Sequence, residues 1–181
     1  MTSPATDTRL RLAREQDIEP LRALMNAAIG QLQSDYLAPD AVLASFSIMG
    51  LDSQLIADGG YFLVEVGEHI GGCGGWSRRA TLFGGDHSAG RDAALLDPAK
   101  DPARVRAMYT HPDFVRRGIG RMILSACESA AAAEGFRSCE LAATLAGEPL
   151  YRACGYQEIE RFSARGENGI SVPLIRMGKN L

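Results

Sequence analysis

The chain has 181 residues, a net charge of −3 and a pI of about 5.6, with 46% hydrophobic and 23% charged residues. This length predicts one domain with a full apolar core, because two domains sharing it would each be small. A nucleic-acid-binding protein is usually basic over a whole face, so the acidic pI disfavours a nucleic-acid partner.

The N-terminal segment and the cysteines indicate the compartment. Residues 1 to 16 contain no apolar stretch of signal-peptide type, and no apolar run approaches the roughly 18 residues of a membrane span. The four cysteines show neither Cys-x-x-Cys spacing nor a histidine at ligand spacing: Cys73, Cys127, Cys139 and Cys154. We therefore expect free, buried thiols in a cytoplasmic protein, without a metal site or a membrane partner.

The first half of the chain predicts a strand, two helices and a hairpin. Residues 1 to 8 are polar, and we expect them to be frayed, whereas "TRLRLA" alternates like a short strand. Apolar residues at spacings of three and four then predict a helix capped by Asp17, and a second helix begins near Pro39. The runs "YFLVEV" and "HIGGCGGWS", separated by Gly67 and Glu68, predict a β-hairpin.

The second half predicts a long loop followed by four strands and two helices. Residues 78 to 103 are rich in turn formers, and a loop of this length is usually functional or disordered. "RVRAMYT" predicts a strand, and the helix that begins after Gly118 ends at Gly135. "SCELAAT", "YQEIERF" and "ISVPLIRM" predict further strands, and "EPLYRAC" predicts a short helix ended by Gly155. This order predicts an α/β or α+β domain with a mixed sheet.

The apolar stripe of the helix after Gly118 is predicted from its spacing. Its members are Ile119, Met122, Ile123, Ala126, Cys127 and Ala130.

The segment "VRRGIGR", residues 115 to 121, has the features of an anion site. It joins a strand to a helix, so the free N–H groups and the dipole of the helix point at it. Gly118 and Gly120 allow the backbone to approach a ligand closely. Three side chains supply forked donors for phosphate oxygens: Arg116, Arg117 and Arg121. A glycine turn with solvated arginines is the alternative interpretation.

The common nucleotide motifs do not fit. A Walker loop needs Gly-Lys-Ser/Thr where this chain has Gly120, Arg121 and Met122. A dinucleotide fingerprint needs a third glycine where Ile123 stands, and "GGCGGW" at 71 to 76 also lacks that spacing. Neither nucleotide class is therefore supported, and the anion site and the solvated glycine turn both stay open at this point.

Three segments, in the right order, resemble the GNAT (Gcn5-related) N-acetyltransferase family. "VRAMYTHPDFVRRGIGRMIL" resembles its motif A, Gln/Arg-x-x-Gly-x-Gly/Ala, through Gly118 and Gly120, although Val115 stands where the family prefers Gln or Arg. "EPLYRACGY" resembles motif B through Tyr151 and Gly155, and "SVPLIRM" is similar to the last strand.

The resemblance implies the fold and the cofactor. The fold would be a single domain over residues 1 to 181, with a GNAT-like mixed, mostly antiparallel sheet and a splayed central parallel strand pair flanked by helices. Acetyl-CoA would lie in the gap of the splayed pair. By this resemblance the pantetheine arm would be lined by Met108, Tyr109 and Thr110. The pyrophosphate would be held by Val115, Arg116, Arg117, Gly118, Ile119, Gly120 and Arg121, and Thr144 would add a polar contact. Many relatives carry Asn near the position of Ala146.

The resemblance also implies transfer of acetyl to a primary amine of a small molecule or peptide. Tyr151 matches the general acid, and a phenol with a pKa near 10 stays protonated at neutral pH. Its alternative role is that of a packing aromatic. The oxyanion would meet a backbone N–H at Tyr109 or a neighbour.

The general base is not identified by the sequence. Glu140 stands four residues before Thr144, roughly 13 Å along a strand, which is too far. His111 more plausibly shapes a turn, and Asp86 and His87 qualify only if the long loop folds over the site.

Substrate contacts are expected from Tyr36 and Trp76, with core packing as the alternative for Trp76. Arg78, Arg79 and Arg91 of the long loop are expected to be solvated or to anchor the loop. A non-catalytic module that senses acyl-CoA is the alternative function, and a homodimer is suggested by analogy with the family.

Overall fold

A computed structural model describes residues 7 to 181. The predicted frayed segment therefore lies outside the described residues up to position 6, and Thr8 already begins a strand. The strands are β1 (Thr8–Leu12), β2 (Tyr61–Val66), β3 (His69–Ser77), β4 (Ala103–Thr110), β5 (Ser138–Ala143), β6 (Gln157–Arg165) and β7 (Ser171–Asn180). The helices are α1 (Ile18–Leu32), α2 (Pro39–Ile48), α3 (Ser53–Ala57), α4 (Ile119–Ala133) and α5 (Glu148–Ala153).

The strands form one mixed sheet in the order β1-β2-β3-β4-β5-β7-β6. Every neighbouring pair is antiparallel except β4 and β5, which are parallel. Two consecutive residues of β2 show that both faces of the sheet are covered: Val64 packs in the core beneath α4, and Leu63 packs in the core beneath α1. The predicted mixed, mostly antiparallel sheet flanked by helices is confirmed.

The entry to α1 differs from the prediction that Asp17 caps this helix. The Asp17 carboxylate accepts hydrogen bonds from the backbone N–H of Arg14 at 2.7 Å and from the Arg11 guanidinium at 2.7 and 2.9 Å. Asp17 therefore closes the 3-10 turn that precedes α1, and no side chain caps the helix. The short helix α3, which the spacing did not predict, is capped by Asp52, whose carboxylate accepts from the N–H of Gln54 at 3.1 Å.

Helix α4 buries a face slightly rotated from the predicted stripe. Ile119, Ile123 and Cys127 are buried as expected, whereas Met122 is 39% exposed and Leu124 is buried instead. The helix ends as predicted, with Gly135 at φ 92 and Phe136 packed back into the core.

The central parallel pair opens after two residues. Only Ala103 with Cys139 and Arg104 with Glu140 are paired, although both strands continue. The register between β3 and β4 shifts beside Ala107, whose φ of 51 marks a bulge in β4. The Tyr61 hydroxyl holds this bulge by donating to the Ala107 carbonyl at 2.7 Å. The predicted splay of the two strands is therefore present.

All four cysteines are free, and three of them are fully buried. None of the helices in residues 7 to 181 has the length and apolar character needed to cross a membrane. The same residues bring together no group of three metal-binding side chains.

Candidate active site

A continuous cavity of about 730 Å³ lies where β4 and β5 separate. This volume is typical of sites that enclose a small molecule. All the residues predicted for the cofactor line it except Arg117, and they share it with Tyr151 and Tyr36. The splay thus brings the predicted cofactor residues, the predicted acid and one predicted substrate residue to a single cleft.

One end of the cavity is formed by residues 115 to 121, the predicted anion cradle. Arg116 and Gly118 adopt left-handed conformations, with φ of 64 and 80, immediately before α4 begins at Ile119. Turns of this kind gather successive backbone N–H groups into a concavity, and the dipole of a 15-residue helix adds to its affinity for anions. A Cβ at Gly118 would meet no atom within 4 Å, so glycine is needed there for its φ rather than for packing.

Gly120 has a different role from the one that its place in the motif suggests. A Cβ at this position would lie 2.7 Å from Cδ2 of Leu150, so the missing side chain allows α4 to approach α5. The three arginines of residues 115 to 121 also differ in their positions relative to the cavity. Arg117 lies outside the cavity with its guanidinium 5.1 Å above the Phe114 ring. Arg116 and Arg121 line the cavity, are exposed, and form no ion pair within residues 7 to 181.

The backbone of β4 presents alternate N–H groups to the cleft. The N–H of His111 donates to the Gly71 carbonyl at 2.9 Å, and Tyr109, two residues earlier, is the register partner of Cys73, so the amides of both face β3. Successive amides of a strand point in opposite directions, and those of Met108 and Thr110 therefore face the gap towards β5. The side chain of Tyr109 lies on the α1 side of the sheet, where its hydroxyl accepts from the N–H of Gly50 at 3.0 Å.

Tyr151 lies at the end of a short turn that follows β5. The Thr144 hydroxyl accepts from the N–H of Gly147 at 3.1 Å, and the Thr144 carbonyl accepts from the N–H of Glu148 at 3.0 Å, which starts α5. The Tyr151 side chain is only 7% exposed and packs edge-on against Tyr156, with ring centroids 5.9 Å apart. Burial raises the pKa of Tyr151 well above its usual range, so the hydroxyl keeps its proton at neutral pH.

The four base candidates are all engaged elsewhere. Glu140 accepts from Arg104 at 2.7 Å and from Arg176 at 2.6 Å, while His111 accepts from the N–H of Asp113. Asp86 accepts from Ser53, and His87 contacts the Phe46 carbonyl at 2.9 Å.

None of these four lines the cavity. Its only described carboxylate is Asp35, which is exposed.

The loop of residues 78 to 102 is held to the sheet by a network of ion pairs and hydrogen bonds that was not predicted from the sequence. Arg106 of β4 is 3% exposed, and its Nη2 lies 2.9 Å from Oδ2 of Asp52 and 2.6 Å from the Gly84 carbonyl. Burial lowers the pKa of Arg106, and the nearby Asp52 carboxylate counteracts that effect. Arg91 binds the other oxygen of Asp52, so an arginine from the loop and one from the sheet share this carboxylate. A charged residue in a central strand was the signal available in the sequence.

This network places residues 82 to 84 in the wall of the cavity. Tyr36, which is 50% exposed, also lines the cavity. Trp76 does not line the cavity: it is 4% exposed and packs edge-on against Phe136 at 6.0 Å. Trp76 is therefore a core residue, because β3 points its side chain beneath α4.

Comparison with protein families gives a match over residues 57 to 158, more than half of the chain, to the acetyltransferase (GNAT) domain. A search of curated proteins gives no match. A GCN5-related N-acetyltransferase from Rhodopseudomonas palustris superposes with a TM-score of 0.68 at 21% identity, covering 100% of this chain and 99% of that one.

Two similar structures contain the coenzyme. PaiA N-acetyltransferase from Thermoplasma acidophilum, in complex with coenzyme A, gives a TM-score of 0.64 at 10% identity over 97% of this chain and 99% of that one. YncA, a putative acetyltransferase from Salmonella typhimurium with acetyl-CoA, gives 0.63 at 16% identity over 96% and 94%. These likenesses match the fold described above, and the family match over residues 57 to 158 includes β4, the cradle and α5. The chain belongs to the GNAT acetyltransferase family.

Proposed function

We propose that the protein is an acetyl-CoA-dependent N-acetyltransferase that acts on a primary amine of a small molecule or peptide. Its family supports acetyl transfer in general. The observation that carries the finer proposal is that one cavity joins the anion cradle, the free amides of β4 and the buried, protonated Tyr151.

The residues of the cavity fit a coenzyme A thioester. The N-terminus of α4 and the exposed Arg116 and Arg121 would hold the pyrophosphate. The unpaired edges of β4 beyond Arg104 would pair with the pantetheine amides, and the Thr144 hydroxyl adds a polar group near them. Ala146 lines the same wall and contributes no hydrogen bond from its side chain.

Acetyl-CoA supplies the acetyl group as a thioester; the protein orients it and stabilises the charge that develops. The N–H groups of Met108 and Thr110 are the donors available to the carbonyl oxygen. The amine nitrogen forms the new C–N bond as the C–S bond breaks, and Tyr151 donates its phenolic proton to the departing sulfur. An amine that arrives as an ammonium ion would first lose a proton to water, because only the neutral nitrogen can attack, and would lose a second proton to water once the C–N bond has formed. One of these protons would return through water to Tyr151, and the other would be released to solvent.

The alternative function is an acyl-CoA sensor of the same fold. It is favoured by the cavity lining, in which the described residues include no histidine and no buried carboxylate to act as base. The proposal of catalysis instead relies on water to accept the proton and on Tyr151 to donate one.

Calorimetric titration with acetyl-CoA, followed by thiol release over a panel of amines, separates the two functions. Binding with release supports the enzyme, whereas binding without release on any amine supports the sensor. Failure of the wild-type protein to bind acetyl-CoA would contradict both.

A cytoplasmic location and a homodimer remain predictions. The first fits the free, buried Cys73, Cys127 and Cys139, since such thiols persist in reducing compartments. Light scattering coupled to size-exclusion chromatography would measure the mass of the assembly in solution.

A further inference from the structure

We infer that the acceptor is a small primary amine carried on an apolar body, and that Phe83 limits the size of that body. The inference rests on the proposed transferase function and specifies its second substrate. It concerns the part of the cavity on the α1 side of β4, which is lined by residues from the ends of α1 and α2 and by residues 82 to 84. We call this part the acceptor lobe.

The walls of the acceptor lobe are apolar and come from three separate segments. The end of α1, the end of α2 and the long loop each contribute a pair of side chains: Ile29 with Leu32, Ile48 with Met49, and Leu82 with Phe83. These segments are far apart in sequence and meet only in the folded chain. An apolar wall of this kind favours an apolar substrate, because contact removes hydrocarbon surface from water.

The inner polar groups of the lobe are already hydrogen-bonded within the protein, whereas Asp35 and Tyr36 of the lining are exposed. The Gln33 side-chain amide donates to the Met49 sulfur at 3.1 Å, and the Tyr109 hydroxyl accepts from the N–H of Gly50. The Gly84 carbonyl accepts from Arg106. A peptide or a polyhydroxylated amine would therefore find few partners for its own polar groups among these inner residues, at a cost in binding.

The charges beneath the lobe balance. Arg106 and Arg91 face Asp52, and Arg91 also lies 3.5 Å from Asp86, so two guanidinium groups meet two carboxylates. Asp35 also lines the cavity, and its carboxylate forms no ion pair within residues 7 to 181. An exposed negative charge at the cleft raises the local concentration of ammonium ions, which is the form in which an amine approaches.

Phe83 is a fixed part of the wall. Its ring packs against Phe162 of β6 with centroids 5.7 Å apart. The backbone on either side is held by Arg106, which donates to the carbonyls of Thr81 and Gly84. A ring held both by its neighbour and by its backbone sets a steric limit that an acceptor must respect.

The test is a series of straight-chain and phenylalkyl primary amines, compared with spermidine, an aminoglycoside and a short peptide, at saturating acetyl-CoA. We expect kcat/KM to rise about threefold to fourfold for each added methylene until the lobe is full. Phe83→Ala should move the optimum to longer amines, and the milder Phe83→Leu should move it less. Leu95→Ala is the matched control, because Leu95 lies on the same loop, is exposed and does not line the cavity.

A second variant tests the charge. Asp35→Asn should lower kcat/KM for every amine severalfold at low salt, and by less as salt rises. The inference is overturned, with the transferase function intact, if the peptide or a polar amine is the best acceptor or if Phe83→Ala leaves the preference unchanged. If acetyl-CoA does not bind, or binds without transfer to any amine, the transferase function fails and the inference fails with it.

Discussion

The two halves of the cleft are built in different ways. The cofactor half consists of backbone: the cradle of residues 115 to 121, the N-terminus of α4 and the unpaired edge of β4. The acceptor half consists of side chains from α1, α2 and the long loop, fastened by the buried pair of Arg106 and Asp52. On the proposed function, the backbone half would recognise the coenzyme that the family shares, whereas the side-chain half would select an acceptor particular to this chain.

Tyr151 lies where the two halves meet, and its hydroxyl should have the largest effect on activity. We expect Tyr151→Phe to lower kcat by about 10²–10⁴-fold, because the departing sulfur loses its proton donor. Acetyl-CoA affinity should stay within threefold of that of the wild type. Since burial raises the pKa of Tyr151, its loss of a proton should not reduce kcat until the pH exceeds 10 or so.

Tyr156→Phe is the matched control for this prediction. Tyr156 is a buried neighbour that does not line the cavity, so its variant should retain the wild-type rate. Equal rates for the two variants would mean that Tyr151 serves packing alone.

Asp52→Asn should destabilise the protein at the acceptor half of the cleft. The change leaves the Arg106 guanidinium buried without its counter-charge, which should lower the free energy of unfolding by about 3–5 kcal/mol, measured in urea. Asp97→Asn removes an exposed pair with Lys100 and should cost less than about 1 kcal/mol. A similar loss in both variants would show that the buried network does not hold the loop.

Gly118→Val should damage the cofactor half alone. A β-branched residue at φ 80 costs about 1–3 kcal/mol if the backbone keeps its conformation, so we expect acetyl-CoA affinity to fall roughly tenfold to a hundredfold as the cradle distorts. Gly169→Val is a close control, because Gly169 has φ 78, equally open surroundings and a place in the turn between β6 and β7. Calorimetry that finds both variants equally weakened would argue against a cradle at residues 115 to 121.

The smallest effect should come from the scaffold under α1. The Arg11 side chain lowers the pKa of Asp17 by hydrogen bonding, so Asp17 adds stability that is complete above its unfolded pKa of about 3.9 and is lost as pH falls through its folded pKa. Asp17→Asn should cost about 1 kcal/mol at pH 7 and flatten the acid limb of the stability curve. Arg11→Gln should flatten the same limb; an unchanged acid limb in either variant would contradict the pairing.

The sequence predicted the strand, turn and helix of the proposed cofactor half better than the contacts that build the proposed acceptor half. The spacing of apolar residues predicted β4 and α4, and Gly118 and Gly120 predicted the turn between them. These signals are local in sequence. The roles within the motif were less accessible: Gly120 serves contact with Leu150, and the amide of Tyr109 faces β3. These two roles depend on which segment lies opposite each residue in the folded chain, and the spacing of residues along the sequence does not show that.

The acceptor half depends on contacts between distant positions. Asp52 and Arg106 are 54 residues apart, and the loop between β3 and β4 has no periodic pattern. From the sequence, both substrate contact and core packing were open for Trp76. Only the register with β4 determines that its side chain packs beneath α4.

The attachment of the long loop has a consequence for how acceptor preference can change. Arg106 holds residues 81 to 84 chiefly through the carbonyl oxygens of Thr81 and Gly84, which any amino acid would supply. Leu82 and Phe83 can therefore be exchanged without releasing the loop from the sheet. During divergence, or in a directed library, substitutions at these two positions would change the proposed acceptor side of the cleft and leave the fold and the proposed coenzyme site unchanged.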